Sequence, residues 1–204
     1  MARWATNGDG RHHLLAVSYW SHLSGNTTRE RHRMSTSWST KDFHRELEAG
    51  HSWAQKVTDY LNAQGVDCTC TPISYAKTQA EIEVFTKTDK DITFNNMDGN
   101  LEVKSLRTEF TSPSDWPWAT AIVDTASGWR QKEEKPTAVI LVSKITGAMI
   151  AVPVSTEGEW KIEKRFDSLR KFEDNFLMVA KTHLRTIDEL VVWLKDKQRK
   201  TTNV

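Results

Sequence analysis

The segment 91–106 has the pattern of a β-hairpin, and this pattern constrains how the middle of the chain folds. A β-rich run, Ile92 to Phe94, follows Asp91. The next residues, 95–100, are rich in Asn, Asp and Gly, which tolerate turn geometry. Asp98-Gly99 is the predicted tip, because Asp-Gly is a favoured hairpin turn. A second strand is therefore expected to follow directly and to pair with the first.

This second strand, residues 101–106, alternates between apolar and polar residues. Leu101 and Val103 are expected on one face, and Glu102 and Lys104 on the other. Charged side chains on an otherwise apolar strand are costly unless they have partners or a function. With Asp91, they would place two carboxylates and one ammonium group on a short hairpin. A carboxylate pair can hold Mg²⁺, which takes oxygen ligands and keeps several waters.

This arrangement resembles the PD-(D/E)XK nuclease superfamily, which includes type II restriction endonucleases and phage junction resolvases. Asp91 matches the first acid of the motif, Glu102 the second and Lys104 the lysine. Lys90 stands where the superfamily has its proline. The resemblance implies an α/β fold with a restriction-endonuclease-like core, in which a central mixed β-sheet is flanked by helices. It covers the chain from Phe43 to Val154, in the style of a small phage or bacterial nuclease-like protein.

The activity that the resemblance implies is metal-dependent hydrolysis of phosphodiester bonds in nucleic acid, with DNA expected. Asp91, Glu102 and the backbone carbonyl of Val103 would bind Mg²⁺ or Mn²⁺, and Lys104 would hold the attacking water. The metal would acidify that water and polarise the phosphoryl oxygen. Three alternatives stay open: a catalytically inactive nuclease-fold module that binds DNA or assists a nuclease complex, a structural virion or assembly protein, and a solvent-facing hairpin with an incidental Glu–Lys pair.

A long amphipathic helix is predicted before the hairpin, because apolar or small residues recur every three or four positions from Phe43 to Leu61. Gly65 is expected to end it. Nuclease-fold domains of this kind open with such a helix, which often carries a further glutamate of the active site. Glu48 and Glu46 are the candidates for this third acid, and a solvent-facing role for both is the alternative.

The rest of the chain predicts mixed secondary structure. Strands are expected at 81–85, 119–123, 137–142 and 148–154, the last two joined by a turn ending at Gly147. A brief helix is expected over 127–135, with Trp129 facing inward and Arg130, Gln131 and Lys132 facing outward. A capping box at Thr186 to Glu189 predicts a C-terminal helix ending in a lysine-rich turn.

The sequence predicts a poorly ordered segment followed by a folded domain. Residues 1–33 mix polar and aromatic residues without a sustained period, and we expect a poorly ordered N-terminal extension. Residues 34–204 are expected to form a single PD-(D/E)XK nuclease-like domain with the C-terminal helix, since this length suits one core.

Charge and composition set the expected partners. The net charge is +1, but the two ends of the chain are basic and the middle is acidic. The acidic middle suits a cation site, and nucleic acid would be contacted by scattered basic and aromatic residues. The candidates are Lys90, Arg107, Trp116, Arg130, Gln131 and Lys132, with packing over a sheet edge as the alternative for Trp116. A homodimer is a further possibility, because many members of the superfamily dimerise to cut two strands.

Membrane association is not expected, because the sequence contains no long apolar run and no signal-peptide pattern. Cys68 and Cys70 lack a second pair that would complete a zinc site. Reduced thiols and a cytoplasmic location, in a bacterial or phage-infected host cell, are therefore predicted.

Overall fold

The structure of the chain is a computed structural model that describes residues 40–75, 81, 84, 87, 88, 90–167 and 172–202. The predicted N-terminal extension, 1–33, lies outside the described residues. The described part is an α/β fold with a mixed central sheet. The helices and strands, numbered here in chain order, are α1 (Thr40–Ala63), β1 (Cys68–Cys70), β2 (Ile92–Phe94), β3 (Asn100–Leu106), β4 (Thr120–Thr125), α2 (Ala126–Gln131), β5 (Ala138–Ser143), β6 (Met149–Pro153), β7 (Lys161–Asp167), β8 (Phe172–Ala180), β9 (Arg185–Thr186) and α3 (Ile187–Thr202).

Helix α1 forms and ends as its sequence predicts. Ala54, Val57 and Leu61, which lie three or four residues apart, are all buried. Gly65 has a positive φ of 81°. The Gly65 amide donates to the carbonyl of Asn62, and the Val66 amide donates to the carbonyl of Leu61. This pair of bonds is the Schellman arrangement, which satisfies the last carbonyls of a helix.

The central sheet, as far as the described residues show, has six strands in the order β1-β2-β3-β5-β6-β9. β3 and β5 are parallel, and the other neighbouring pairs are antiparallel. The predicted hairpins are both present, since β2 pairs with β3 across Gly99 and β5 pairs with β6 across Gly147. The parallel pair requires a long crossover, and β4 and α2 lie within it.

The two faces of the central sheet are covered by different layers. On one face, α1 and α3 pack against residues that include Leu101, Ile140 and Val142. On the other face, Val139 and Leu141 pack against β4, β8 and α2. The prediction of a mixed sheet is confirmed. The second layer, however, is mainly a three-stranded antiparallel sheet in the order β4-β8-β7, which the expectation of flanking helices did not include.

Two local predictions have different outcomes. The expected strand at 81–85 is wrong at its two described residues, Glu81 and Val84, which are helical. The C-terminal helix is confirmed, and its capping box is formed: Glu189 accepts hydrogen bonds from the amide and the hydroxyl of Thr186, and its own amide donates to that hydroxyl. No helix in the described part of the chain combines the length and the apolar character that a membrane crossing requires.

Candidate functional site

Glu102 and Lys104 lie next to each other on the face of β3 that is turned toward the three-stranded sheet. Side chains alternate along β3, so Leu101 and Val103 pack against the helices and the two charged side chains lie on the opposite face. Lys104 Nζ lies 2.7 Å from Glu102 Oε1. Both residues are buried, with 7% of Glu102 and 3% of Lys104 exposed. The strand therefore carries a charged pair inside the protein.

Asp124 joins this pair from β4, and sequence reasoning did not assign it a role. The register between β4 and β8 shifts between Ile122 and Asp124, which is a β-bulge. Regular alternation would put Asp124 on the same face as Ile122, whereas a bulge can redirect a side chain. Asp124 Oδ1 lies 3.8 Å from Lys104 Nζ, and Asp124 is fully buried. The signal in the sequence was an acid inside an otherwise apolar run.

Lys132 is the fourth member, and its predicted outward orientation on a helix is wrong. Helix α2 ends at Gln131, and Lys132 has an extended backbone with φ −62° and ψ 122°. Its side chain therefore leaves the helical face. Lys132 Nζ lies 3.2 Å from Glu102 Oε2 and 3.9 Å from Asp124 Oδ2. Glu102, Lys104, Asp124 and Lys132 are called the charge cluster below; Lys132 is its most exposed side chain, at 15%.

The charge cluster contains two carboxylates and two ammonium groups, and their pKa values differ with their contacts. Burial acts to raise the pKa of Glu102, but the attraction of Lys104 and Lys132 outweighs it and lowers that pKa. Burial raises the pKa of Asp124, and repulsion by Glu102 raises it further. The two lysines act to lower this pKa, but their contacts with Asp124 are longer and do not outweigh burial. Burial acts to lower the pKa of Lys132, but Glu102 and Asp124 raise it. Asp124 is thus the carboxylate that accepts a proton first on acidification.

Asp91 lies beside the cluster at the end of the β2–β3 ladder. Ile92 pairs with Leu101, so the antiparallel register places Asp91 opposite Glu102. Asp91 Oδ2 accepts a hydrogen bond of 2.6 Å from the amide of Val103. Its charge also contributes to the raised pKa of Lys132, after the larger effects of burial and the charge-cluster carboxylates. The structure therefore brings Asp91, Glu102 and Lys104 into one region.

Glu48, one of the two candidates for a third acid on α1, does not join the cluster. Helix α1 packs on the face of β3 that carries Leu101 and Val103, opposite Glu102. Glu48 is exposed, and its Oε1 accepts a hydrogen bond of 3.1 Å from the hydroxyl of Tyr75. The side chain of Glu46 lies outside the described residues. The acid that accompanies Glu102 and Lys104 is instead Asp124.

The residues suggested as nucleic-acid contacts lie in different environments. Trp116 is only 3% exposed, its ring packs 5.2 Å from that of Phe110, and its Nε1 donates to the carbonyl of Thr120. It cannot stack on a base without unpacking this core, so the proposed contact is wrong and the packing alternative holds. The remaining suggestions are exposed Arg107 and Arg130, half-buried Gln131, Lys90, which pairs with Glu134 at 2.5 Å, and Lys132 of the charge cluster.

A cation at this site would have few protein ligands. Within the described ranges, no three His, Cys, Asp or Glu side chains converge to hold a metal ion. The available oxygen donors near β3 are carboxylates of Asp91, Glu102 and Asp124 and backbone carbonyls. Mg²⁺ commonly uses one or two carboxylates and completes its shell with water and substrate phosphate. The chemistry of this donor set is therefore compatible with Mg²⁺ and unlike that of a zinc site.

Replacing Asp91 should reveal its structural contribution. Asp91→Ala leaves the Val103 amide without its acceptor, and we expect the free energy of unfolding to fall by about 1–3 kcal/mol. Asp91→Asn keeps an acceptor oxygen and should lose less than half of that amount. Urea denaturation followed by circular dichroism measures both. Equal losses in the two variants would show that the charge of Asp91, rather than this hydrogen bond, stabilises the hairpin.

Comparison with known proteins adds no relative: no protein-family model, no curated protein and no solved structure matches the chain.

Proposed function

We propose that this protein is a metal-dependent nuclease of the PD-(D/E)XK type that hydrolyses phosphodiester bonds of DNA. The observation that carries this proposal is the buried contact of 2.7 Å between Glu102 and Lys104, with Asp91, the residue before β2, opposite Glu102 in the extended register. A buried charge costs several kcal/mol in desolvation, roughly, so its presence on β3 calls for a compensating role. The proposed role is to bind a cation and position the water that attacks a phosphate.

The order of elements also supports a restriction-endonuclease-like core. A long helix precedes the strands that carry the acids, and a crossover containing a helix leads to the parallel strand β5 and its hairpin with β6. This is the order that the resemblance implies from Phe43 to Val154. The three-stranded sheet comes from two parts of the chain. Its strand β4 lies between β3 and β5 in the sequence, and its strands β7 and β8 follow β6.

Asp91, Glu102 and the carbonyl of Val103 are the proposed ligands of Mg²⁺ or Mn²⁺. The amide of Val103 points toward Asp91. In a strand, the amide and the carbonyl of one residue point to the same neighbouring strand, so the Val103 carbonyl is also directed to this side. When bound, the cation would polarise the phosphoryl oxygen and acidify the attacking water. All three proposed ligands are oxygen donors, two of them on β3 and one directly before β2.

The lysines of the charge cluster have distinct proposed roles. Lys104 Nζ donates to Glu102 Oε1. With a cation held by that carboxylate, Lys104 would orient the attacking water and offset charge on the phosphate. Lys132, whose side chain is 15% exposed, is the most accessible member of the cluster and would meet the substrate phosphate first. Asp124 keeps both lysines in place through contacts of 3.8 and 3.9 Å and is a positioning residue in this proposal.

A catalytically inactive nuclease-fold module is the second candidate, and one observation favours it. The two carboxylates of the charge cluster are already balanced by two lysines, so the cluster is neutral without a cation. Such a module would bind DNA or assist another nuclease through exposed residues such as Arg107 and Arg130. Both candidates keep the predicted cytoplasmic location in a bacterial or phage-infected cell.

Metal titration separates the two candidates. Isothermal titration calorimetry with Mn²⁺ should detect binding to the parent protein, and Asp91→Asn and Glu102→Gln should each weaken it by about tenfold or more. Glu48→Gln is the matched control, because it removes an exposed acid from α1 and should leave the affinity unchanged. Absence of Mn²⁺ binding to the parent protein, or equal binding by all four proteins, would remove the proposed site.

A further inference from the structure

Strand β7 is an exposed edge with apolar side chains. It is the terminal strand of the three-stranded sheet, and in the described part of the chain only β8 pairs with it. Ile162 and Phe166 lie on the same face of β7, with 53% and 56% of their surfaces exposed. An edge with free backbone groups and exposed apolar side chains is a template for pairing with another strand.

We propose that β7 pairs antiparallel with β7 of a second copy of this chain, about a two-fold axis at Lys164. The resulting dimer would contain one continuous sheet in the order β4-β8-β7-β7-β8-β4. This inference does not depend on the proposed nuclease activity. It rests on the sequence of β7, Lys-Ile-Glu-Lys-Arg-Phe-Asp, whose charges are complementary when the strand is read against its own reverse.

The complementarity is specific to the register centred on Lys164. In this register Ile162 faces Phe166 of the second copy, and Glu163 faces Arg165 of the second copy. Lys161 aligns with position 167, which is aspartate. Each of these pairings occurs twice by symmetry. Apolar pairs and opposite charges directly across two strands stabilise a sheet.

Other centres for the same pairing lose this complementarity. Residues that lie opposite each other in a sheet point to the same face, so Ile162, Lys164 and Phe166 must pair with residues of their own face in the second copy. The two-fold axis can therefore pass only beside a residue and not between two residues. Centring on Glu163 places Lys161 opposite Arg165, and centring on Arg165 places Glu163 opposite Asp167. Both arrangements oppose like charges, which destabilises a strand pair. The seven-residue strand therefore favours the register centred on Lys164.

At that centre Lys164 would face its own symmetry mate, and β8 supplies the compensation. Lys164 Nζ lies 2.5 Å from Glu173 Oε2 of the same chain. This contact draws the ammonium group toward β8 and away from the axis. The alternative role of the β7 charges is to protect a monomer from edge-to-edge pairing, as edge lysines do in many sheets. Protection of a monomer needs only exposed charges. It does not need charged and apolar residues in an order that matches the reverse of the same strand.

Charge reversal and charge exchange test the pairing in the full-length protein. Analytical ultracentrifugation should show a dimer for the parent chain. Glu163→Arg and Arg165→Glu should each weaken dimerisation about tenfold or more, since each opposes like charges at two symmetric places. The double variant Glu163→Arg/Arg165→Glu should restore the parent affinity. All three should keep the circular dichroism spectrum of the parent protein, because Glu163 and Arg165 form a partly exposed pair that contributes little to folding.

Val192→Arg is the control for a dimer formed elsewhere, since Val192 is 62% exposed on α3 and far from β7 in the chain. It should leave the dimer intact. A monomeric parent protein would overturn the proposal, as would single reversals that have no effect on the dimer. Failure of the double variant to recover would overturn the register, and dissociation by Val192→Arg alone would assign the interface to α3.

Discussion

Replacing Lys104 by methionine should lower the free energy of unfolding by about 3–5 kcal/mol, because it leaves a buried carboxylate without its closest ammonium group. Lys104 contacts both Glu102 and Asp124, which are almost fully buried. Methionine fills a similar volume, so the loss reports charge rather than packing. Urea denaturation of both proteins at neutral pH measures the difference.

Two further variants show whether this loss arises from charge imbalance. Lys104→Met/Glu102→Gln leaves Asp124 with Lys132 and restores neutrality, so it should recover at least half of the lost stability. Arg199→Met removes a basic residue from an exposed ion pair with Asp196 and should change stability by less than about 1 kcal/mol. If Lys104→Met were as stable as Arg199→Met, the stability of the fold would not depend on the balance of charges in the charge cluster.

Asp91→Asn should lower the rate of Mg²⁺-dependent DNA cleavage by about a hundredfold or more. Substitution of a residue that only hydrogen-bonds to a metal ligand commonly lowers activity by roughly 10–100-fold. Asp91 is a proposed direct ligand, so its substitution should cost at least as much. This variant is preferred to changes at Lys104, because asparagine keeps an acceptor for the Val103 amide and the fold should persist. The rate is measured as loss of supercoiled plasmid, with Glu48→Gln as a control expected to cleave at the parent rate.

The parts of the fold that sequence predicted are those set by residues close together in the chain. The stripe from Ala54 to Leu61, the turn at Gly99 and the capping box at Thr186 each depend on spacings of a few residues. Alternation in β3 likewise separated Glu102 and Lys104 from Leu101 and Val103. Local steric and hydrogen-bonding preferences are enough to determine these features.

The rest of the site depends on contacts between distant segments. Asp124 reaches Lys104 only because a bulge in β4 redirects it, and a bulge is not encoded in simple alternation. Lys132 reaches Glu102 because α2 ends one residue before it, and helix ends are the least certain part of any prediction. The β7–β8 hairpin was missed because charged residues interrupt its apolar pattern on both faces.

Incubation of the parent protein with supercoiled, linear, single-stranded and branched DNA, with Mg²⁺, Mn²⁺ or EDTA, tests the central claim most directly. The proposed nuclease should cleave at least one of these forms with Mg²⁺ or Mn²⁺, should be inactive with EDTA, and should lose this activity in Asp91→Asn while keeping its fold by circular dichroism. Cleavage that persists in EDTA, or at the parent rate in Asp91→Asn, would contradict the account. Absence of cleavage of every DNA form with either metal would contradict it as well and would favour the inactive module.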